Sequence, residues 1–479
     1  MRGSFLFTKP AVPRKPLEKV NKKEILAAVP PPGFRVLLIW RARPLLPGAG
    51  ASCPACGREA ERKKLGHGMK TAAAVPGQGI RRYPKKSMPD EQKKILVVMG
   101  TRPEVIKLAP VIAELRKHDG VLKTMVCSTG QHRHMLDQMT SMFDLKPDFD
   151  LNLMRPAQTL PDFLQYSVAE LNRVIAEVRP DMTIVQGDTI TATSAALASY
   201  YARVPVAHVE AGLRSHDRNN PFPEEANRLI GDQVSELLFV PTRASARNLE
   251  KEGFPRRRVL VTGNTVIDSL QQSLKLIDIK NNDCGIPKGK KLLLVTLHRR
   301  ESFGKPLEGI LRALKETVEG NEQLYIAYPV HPNPNVKGPA YRILNHPRIK
   351  LLEPQPYPQF LSLMARSDLI VTDSGGVQEE APALNKPVLI LRDRTERSEA
   401  VLAGCARLIG TRYEDVLRGL KRYTGNLRWS HRSGANIYGD GLASNRIAGA
   451  ILHYFAPEVY ALPGEFSGDI LLKDISRPQ

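Results

Sequence analysis

From residue 92 onward, short apolar runs alternate with longer stretches in which apolar positions recur every three or four residues. This is the rhythm of a parallel β-sheet covered by helices. In the first half it predicts strands at 95–99, 123–128, 182–186, 204–209, 236–240 and 258–262, with helical patterns at 105–117, 163–178 and 191–202. The strands are continuous Val, Ile and Leu runs, as expected where both faces of a sheet are buried. A polar stretch with Gly and Pro, 281–290, interrupts the pattern, which then restarts with strands at 291–297, 324–330, 349–352, 369–372, 388–391 and 406–409.

The fold class predicted is therefore α/β, with two Rossmann-like doubly wound domains facing across a cleft. The expected boundaries are 88–263 for the first domain, 264–455 for the second and 456–479 for a C-terminal tail. Ligands of such sheets bind outside the carboxyl ends of the strands, where strand order reverses. The cleft between the domains is the expected site.

Charge divides the chain unevenly. The net charge is +21, yet residues 1–87 hold 19 Lys and Arg against four acidic residues, while 88–479 hold 51 against 45. The basic excess thus belongs mostly to the first 87 residues and does not point to nucleic acid as the body's partner. That leader is rich in Pro, Gly, Arg and Lys and lacks periodicity, so it is expected to be disordered, with Met88 as the functional start. Its Cys53-Pro54-Ala55-Cys56 with His67 beyond has the spacing of half a zinc ribbon, but no second CxxC follows and structural zinc takes four ligands, so no metal is expected. Five cysteines in 479 residues do not make a disulfide framework. No apolar run of the length a spanning helix needs occurs, so a cytoplasmic protein without a membrane partner is expected.

Polar and glycine residues gather where strands end. Gly100-Thr101-Arg102-Pro103-Glu104 follows the first strand with Lys107 one helical step on; Gly187-Asp188-Thr189 and Glu210-Ala211-Gly212-Leu213-Arg214 follow two others. In the second half His298-Arg299-Arg300-Glu301 and Asp373-Ser374-Gly375-Gly376 hold the same positions. Turn chemistry alone accounts for one such loop, but not readily for five with converging charge. Ser374-Gly375-Gly376 opens a helix, where backbone N–H groups and the helix dipole suit a diphosphate. Glu380 returns to the same face one turn on and suits ribose hydroxyls, and Arg102 and Lys107 can oppose the diphosphate from the first domain. Glu224 and Arg228 stand at i and i+4 and read either as a helix salt bridge or, with Glu210 nearby in sequence, as part of an acid–base pair. GxGxxG, the P-loop Gly-Lys-Ser/Thr, Tyr-x-x-x-Lys and HExxH are all missing, so no cofactor is expected.

Ten of these runs together resemble the non-hydrolysing UDP-N-acetylglucosamine 2-epimerases. They are GTRPEVIKLAP from Gly100, QHR from Gln131, GDT from Gly187, HVEAGLR from His208, PEEANR from Pro223, TGNT from Thr262, HRRE from His298, YPVH from Tyr328, DSGGVQEEAP from Asp373 and YGDG from Tyr438. The resemblance implies the glycosyltransferase-B fold, a homodimer, and interconversion of UDP-N-acetylglucosamine and UDP-N-acetylmannosamine for cell-surface polysaccharide biosynthesis. It gives catalytic roles to Asp188, Glu210, Glu224 and His298, with base and acid left open. It gives Arg102, Lys107, Ser374, Gly375, Gly376 and Arg397 to the UDP phosphates and nearby groups, Glu380 to ribose, Gln355 and Phe360 to the uracil region, and adds Arg228 to the substrate-binding set.

Many bacterial members are activated by a second UDP-N-acetylglucosamine, and Gln131, Gln158, Arg299 and His331 are the candidate regulatory residues here. This chain departs from that pattern at His134, where a Gln or Glu is usual, and at Ala157-Gln158, where Arg-Gln is usual. Weak or absent dependence on a second sugar is expected. A related epimerase acting on a UDP-diacetamido-uronic acid would keep the UDP residues and differ in the sugar pocket. A glycosyltransferase of the same fold has no obvious use for Asp188, Glu210 and Glu224 together.

Overall fold

The computed structural model describes residues 91–131, 142–277, 287, 289–299, 302–425 and 436–468. The leader with Cys53, Cys56, His67 and Met88, together with His134, Arg300 and Glu301, lies outside the described residues. The first sheet holds β1 (Lys93–Met99), β2 (Leu122–Ser128), β3 (Phe149–Asp150), β4 (Met182–Gln186), β5 (Val206–Val209), β6 (Leu237–Val240) and β7 (Val259–Val261). The second holds β8 (Lys291–Thr296), β9 (Leu324–Pro329), β10 (Ile349–Leu352), β11 (Leu369–Thr372), β12 (Val388–Ile390) and β13 (Ala406–Leu408). Every pairing is parallel. The periodic reading located twelve of these strands to within two residues at each end. It missed β3, whose two residues pair with Cys127 and Ser128 at the sheet edge, because so short a segment carries no period.

Strand order is β3-β2-β1-β4-β5-β6-β7 in the first sheet and β10-β9-β8-β11-β12-β13 in the second. Order reverses between β1 and β4 and again between β8 and β11. Those four strands are the ones followed by Gly100, Gly187, His298 and Asp373, so both switch points are lined by the sequence-predicted polar loops.

The helices of the first half are α1 (Arg102–Arg116), α2 (Leu160–Val178), α3 (Ile190–Tyr201), α4 (Glu224–Val234), α5 (Arg243–Lys251) and α6 (Thr265–Leu276). Those of the second are α7 (Lys305–Glu319), α8 (Pro334–Ile343), α9 (Tyr357–Arg366), α10 (Gly375–Ala383), α11 (Ser398–Leu402), α12 (Tyr413–Gly425) and α13 (Ala443–Phe455). Among the described residues, no helix is long and apolar enough to cross a membrane.

Helix α1 is apolar nearly all round: Val105, Leu108, Val111, Ile112 and Leu115 are fully enclosed. A helix with that pattern needs cover on more than one side. It packs on β1 and on α6, and the last helix α13 returns from the second half of the chain to lie against it. Asp268 of α6 fixes that return by accepting from the Ser444 N–H at 2.8 Å and hydroxyl at 2.6 Å in the first turn of α13. The segment after residue 263 therefore packs on the first sheet before the chain enters the second.

Beyond α13 the chain also docks on the first sheet. The Phe466 N–H donates to the Val261 carbonyl at 2.8 Å, and its ring, 4% exposed, packs with Leu238, Val240 and Val261. Phe466→Ala is expected to cost about 3 kcal/mol, as for a buried aromatic truncated to Ala. Urea denaturation checks this, and an unchanged midpoint would mean that the C-terminal segment contributes nothing to the first core.

Candidate functional site

Each switch point is pinned by one buried carboxylate. In the first sheet Glu104, at the third position of α1, accepts from the Gly100 and Thr101 N–H groups at 2.9 and 2.7 Å, and its other oxygen accepts from the Thr189 hydroxyl at 2.6 Å. It thereby joins the loop after β1 to the loop after β4. Burial pushes its pKa up to about 7 against those hydrogen bonds. In the second sheet Asp373 accepts from the His298 and Arg299 N–H groups, both at 2.9 Å, joining the loop after β11 to the loop after β8. Its second oxygen lies 3.0 Å from His298 Nδ1, which leaves Nε2 as the nitrogen for other contacts.

Between the two sheets the charged side chains meet. Lys107 of α1 pairs with Glu210 from the end of β5 and, at 3.0 Å, with Glu379 of α10. Arg397 reaches Glu379 at 2.7 Å, Glu210 at 3.5 Å and its neighbour Glu396. All four side chains of the Lys107, Glu210, Glu379 and Arg397 cluster are buried. Burial alone would raise Glu379, but Arg397 and Lys107 hold it below the usual carboxylate range. Glu210 is pushed up by burial against the pull of Lys107. Gln186 and Asn264 donate to the Glu210 oxygen that faces Lys107, at 3.0 and 3.4 Å. Glu210 itself has φ 67°, the left-handed conformation that costs a non-glycine residue energy and tends to occur at functional positions.

A second cluster adjoins the first. Arg228, almost fully enclosed, pairs with Asp188 at 2.7 Å, with Glu225, and with Glu396 at 4.0 Å. The helix salt bridge between Glu224 and Arg228 is not formed; Glu224 instead faces Arg299 of the second sheet at 3.8 Å. Arg228 turns inward because Asp188 and Glu396 are there to meet it, and Glu225 takes the local i,i+3 role. Asn227 holds the Asp188 carbonyl at 2.9 Å.

The Ser374-Gly375-Gly376 turn opens α10 as expected. A Cβ on Gly375 would lie 2.7 Å from the Arg397 guanidinium carbon, so glycine is what allows that cation onto the helix N-terminus. At Gly376 a Cβ would meet only Glu380 Oε1, at 3.9 Å, and this face is the open one. Glu380 lies under it with one oxygen buried and without a hydrogen-bond partner. Burial pushes its pKa up to about 8, with Arg102 drawing it down and Glu379 adding to the rise. The Arg102 guanidinium sits over the Tyr357 ring, 5.9 Å from its centroid.

Asp188, Arg228, Glu210, Lys107, Arg397 and Gly375 are thus tied into one chain of contacts. Ser374, Gly376 and Glu380 stand beside it on the turn and first helical turn that hold Gly375, Arg102 is drawn to it by the charge of Glu380, and Glu224 and His298 adjoin it through Arg299 and Asp373. Other sequence-predicted residues are placed less centrally. Phe360 is packed against the core, and Gln355 donates to the Glu353 carbonyl at 2.7 Å. Gln131 accepts from Thr191 at 2.9 Å, and Gln158 accepts locally from the Arg155 N–H at 3.1 Å. The His331 ring stacks on His298 with centroids 5.9 Å apart. Of the regulatory set, then, Arg299 and His331 touch catalytic candidates, whereas the contacts of Gln131 and Gln158 just described are with Thr191 and Arg155.

The sequence reading missed Glu379, Glu396 and the pinning role of Glu104. Glu104 had a signal, since Thr101-x-x-Glu104 before an apolar run is the capping-box pattern. Glu379 and Glu396 had none, because Lys107 and Arg228, which meet them from the first half of the chain, lie far from them in sequence.

A family model for UDP-N-acetylglucosamine 2-epimerase matches residues 113–452. UDP-N-acetylglucosamine 2-epimerases of Salmonella typhimurium and Escherichia coli K12 are 44% and 46% identical over 372 and 371 residues, each match covering 75% of this chain and 99% and 98% of the relative. Among solved structures, UDP-GlcNAc 2-epimerase from Neisseria meningitidis bound to UDP-GlcNAc superposes with a TM-score of 0.73 at 41% identity, covering 75% of this chain and 99% of that one. The S. aureus MnaA co-structure with UDP gives 0.74 at 42%, covering 78% and 100%.

Removing Lys107 leaves two buried carboxylates with Arg397 as the one cation between them, and breaking a buried charge cluster in this way typically costs on the order of 3–5 kcal/mol. Lys107→Met is expected to lose that much in urea denaturation, and Glu379→Gln in the same background to recover part of it by deleting one of the two carboxylate charges. A loss under about 1 kcal/mol, the range of solvent-screened pairs, would show that water reaches the cluster.

Proposed function

Because the chain belongs to the UDP-N-acetylglucosamine 2-epimerase family, we propose that it interconverts UDP-N-acetylglucosamine and UDP-N-acetylmannosamine by eliminating UDP and adding it back. The observation that carries this reading is the joining of Asp188 and Glu210 to the Ser374-Gly375-Gly376 turn through Arg228, Glu396 and Arg397, with Glu224 brought alongside by Arg299, whose charge also acts on Glu396. Carboxylates able to move a proton, half-buried at Asp188 and Glu224 and buried at Glu210, meet cations able to hold a departing diphosphate.

The chemistry accounts for both halves of that set. The C2 proton of an N-acetylhexosamine is not adjacent to a carbonyl carbon in the ring, so a base alone removes it only at prohibitive cost. As the bond from C1 to the diphosphate oxygen breaks, C1 becomes electron-poor and C2–H more acidic. The proton goes to a carboxylate of the Asp188, Glu210 and Glu224 set, the C2–H electrons form the C1–C2 double bond of a 2-acetamidoglucal, and UDP leaves with the bonding pair. Protonation of C2 on its other face and return of the diphosphate oxygen to C1 give the epimer. Lys107, Arg397 and the N-terminal amides of α10 stabilise the charge that develops on the leaving group. Enclosure keeps both fragments in register and water away from the glucal.

Glu380 is assigned to the ribose hydroxyls, with Arg102 beside the diphosphate and Gln355 and Phe360 toward the uracil. His298, oriented by Asp373, faces the same space from the second sheet. The reading extends to a cytoplasmic homodimer that responds weakly or not at all to a second sugar.

Proton NMR of UDP-N-acetylglucosamine with the protein in deuterated water is expected to show UDP-N-acetylmannosamine and deuterium at C2 of both sugars, without free N-acetylmannosamine. Epimerisation that keeps the C2 proton would exclude elimination. Asp188→Asn and Glu210→Gln are each expected to keep UDP binding and to lose turnover by roughly 100-fold or more, the scale of a lost acid–base group; near-normal turnover in both removes them from catalysis.

Glu380 makes a separate prediction. With its pKa near 8, the free protein holds a proton there at pH 7. Ribose hydroxyls donate to the ionised form and favour it, so UDP binding should release a proton and tighten as pH rises toward about 8. Calorimetry at pH 7 in buffers of different ionisation enthalpy should record that release in the wild type and not in Glu380→Gln; equal proton exchange in the two would place the ribose elsewhere.

A further inference from the structure

We propose that His208 is a permanently charged imidazolium which, with Asp232, positions the loops carrying Asp188 and Glu210. His208 lies at the third residue of β5 and is fully buried. Its Nδ1 is 2.7 Å from Asp232 Oδ1 and its Nε2 is 2.8 Å from the Gly187 carbonyl oxygen. A carbonyl can only accept a hydrogen bond. Asp232 is likewise an acceptor, since its other oxygen is 2.7 Å from Arg214 and accepts from the Gly212 N–H at 3.1 Å.

A neutral imidazole has a single N–H and would turn a lone pair onto one of these two acceptors. Out of reach of water that repulsion has no relief. Two acceptors at hydrogen-bonding distance need two N–H groups, which only the cation possesses. The charge is matched locally: Asp232 faces His208 from α4, and Arg214, from the loop after β5, is shared between Asp232 and Glu252, at 2.7 Å from each. Burial opposes the charged form, and the hydrogen bond and charge of Asp232 outweigh it and raise the pKa. Gly231 lets α4 approach this closely, because a Cβ there would stand 3.2 Å from His208 Cε1.

The position of this pair gives it a task. Gly187, gripped through its carbonyl, immediately precedes Asp188, and Gly212, gripped through its N–H, is two residues past Glu210. Asp232 also lies one helical turn beyond Arg228, which holds the Asp188 carboxylate. One helix thus fixes both loops, to Asp188 by side chain and backbone and to Glu210 by backbone. His208 and Asp232 touch no reacting atom in this arrangement and act through the loops. Their effect on turnover rests on the epimerase reading above; the charge state of His208 does not.

The test has two arms on the full chain. Long-range proton–nitrogen NMR with labelled histidine should show, among the 11 histidines, one ring whose two nitrogens keep imidazolium shifts from about pH 6 to about pH 8.5, beyond the ordinary histidine range. If every ring shows a neutral, acceptor-type nitrogen by the upper limit, the charge assignment is wrong, whether or not any variant folds. In the second arm His208→Gln should lower kcat on the order of 100-fold, the scale of a small misplacement of catalytic groups, while the Kd for UDP stays within about twofold. A folded His208→Gln protein with wild-type kcat overturns the positioning role. Absence of turnover in the wild type itself would instead strike at the epimerase reading and leave the NMR result standing.

Discussion

The two halves of the molecule meet through four buried charges. Lys107 and Glu210 belong to the first sheet, Glu379 and Arg397 to the second, and each cation touches both carboxylates. Desolvating any of these groups alone costs several kcal/mol, so the cluster persists only while all four are in place. In the proposed function a nucleoside diphosphate brings its negative charge to these two cations, at the N-terminus of α10 where the backbone adds its own donors.

The scaffold behind the cluster repeats in both sheets. Glu104 at one switch point and Asp373 at the other each tie the two loops flanking the strand reversal. Neither needs to touch substrate to matter, because Asp188 and His298, proposed above as catalytic, stand on the loops so held. Helix α4 completes the frame by presenting Glu224 to the cleft, Arg228 to Asp188 and Asp232 to the loops after β4 and β5.

How far the sequence revealed this depended on range. Strands such as Met182–Gln186 and Leu369–Thr372 were legible because a buried parallel strand must be continuously apolar. The polar loops were legible because they interrupt that pattern at the strand ends, and the family resemblance assigned them roles. Contacts between distant segments were not. Glu224 and Arg228 stand at helix salt-bridge spacing, yet Arg228 turned to Asp188 and Glu396, which the spacing does not contain. Glu379 carries no local pattern separating it from Glu380, and only the approach of α1 across the cleft gives it Lys107. The packing of α6 and α13 on α1 was hidden for the same reason.

The proposed epimerisation requires a site that releases UDP from C1 and gives it back to the same carbon. UDP-N-acetylglucosamine carrying oxygen-18 only in the bridge between C1 and the β-phosphorus tests this directly, with phosphorus NMR reading where the label ends. Freed UDP held in the cleft can rotate its terminal phosphate, so the label should appear in non-bridging positions as the epimer forms. Complete epimerisation with the label still wholly in the bridge would mean that the bond to C1 never broke.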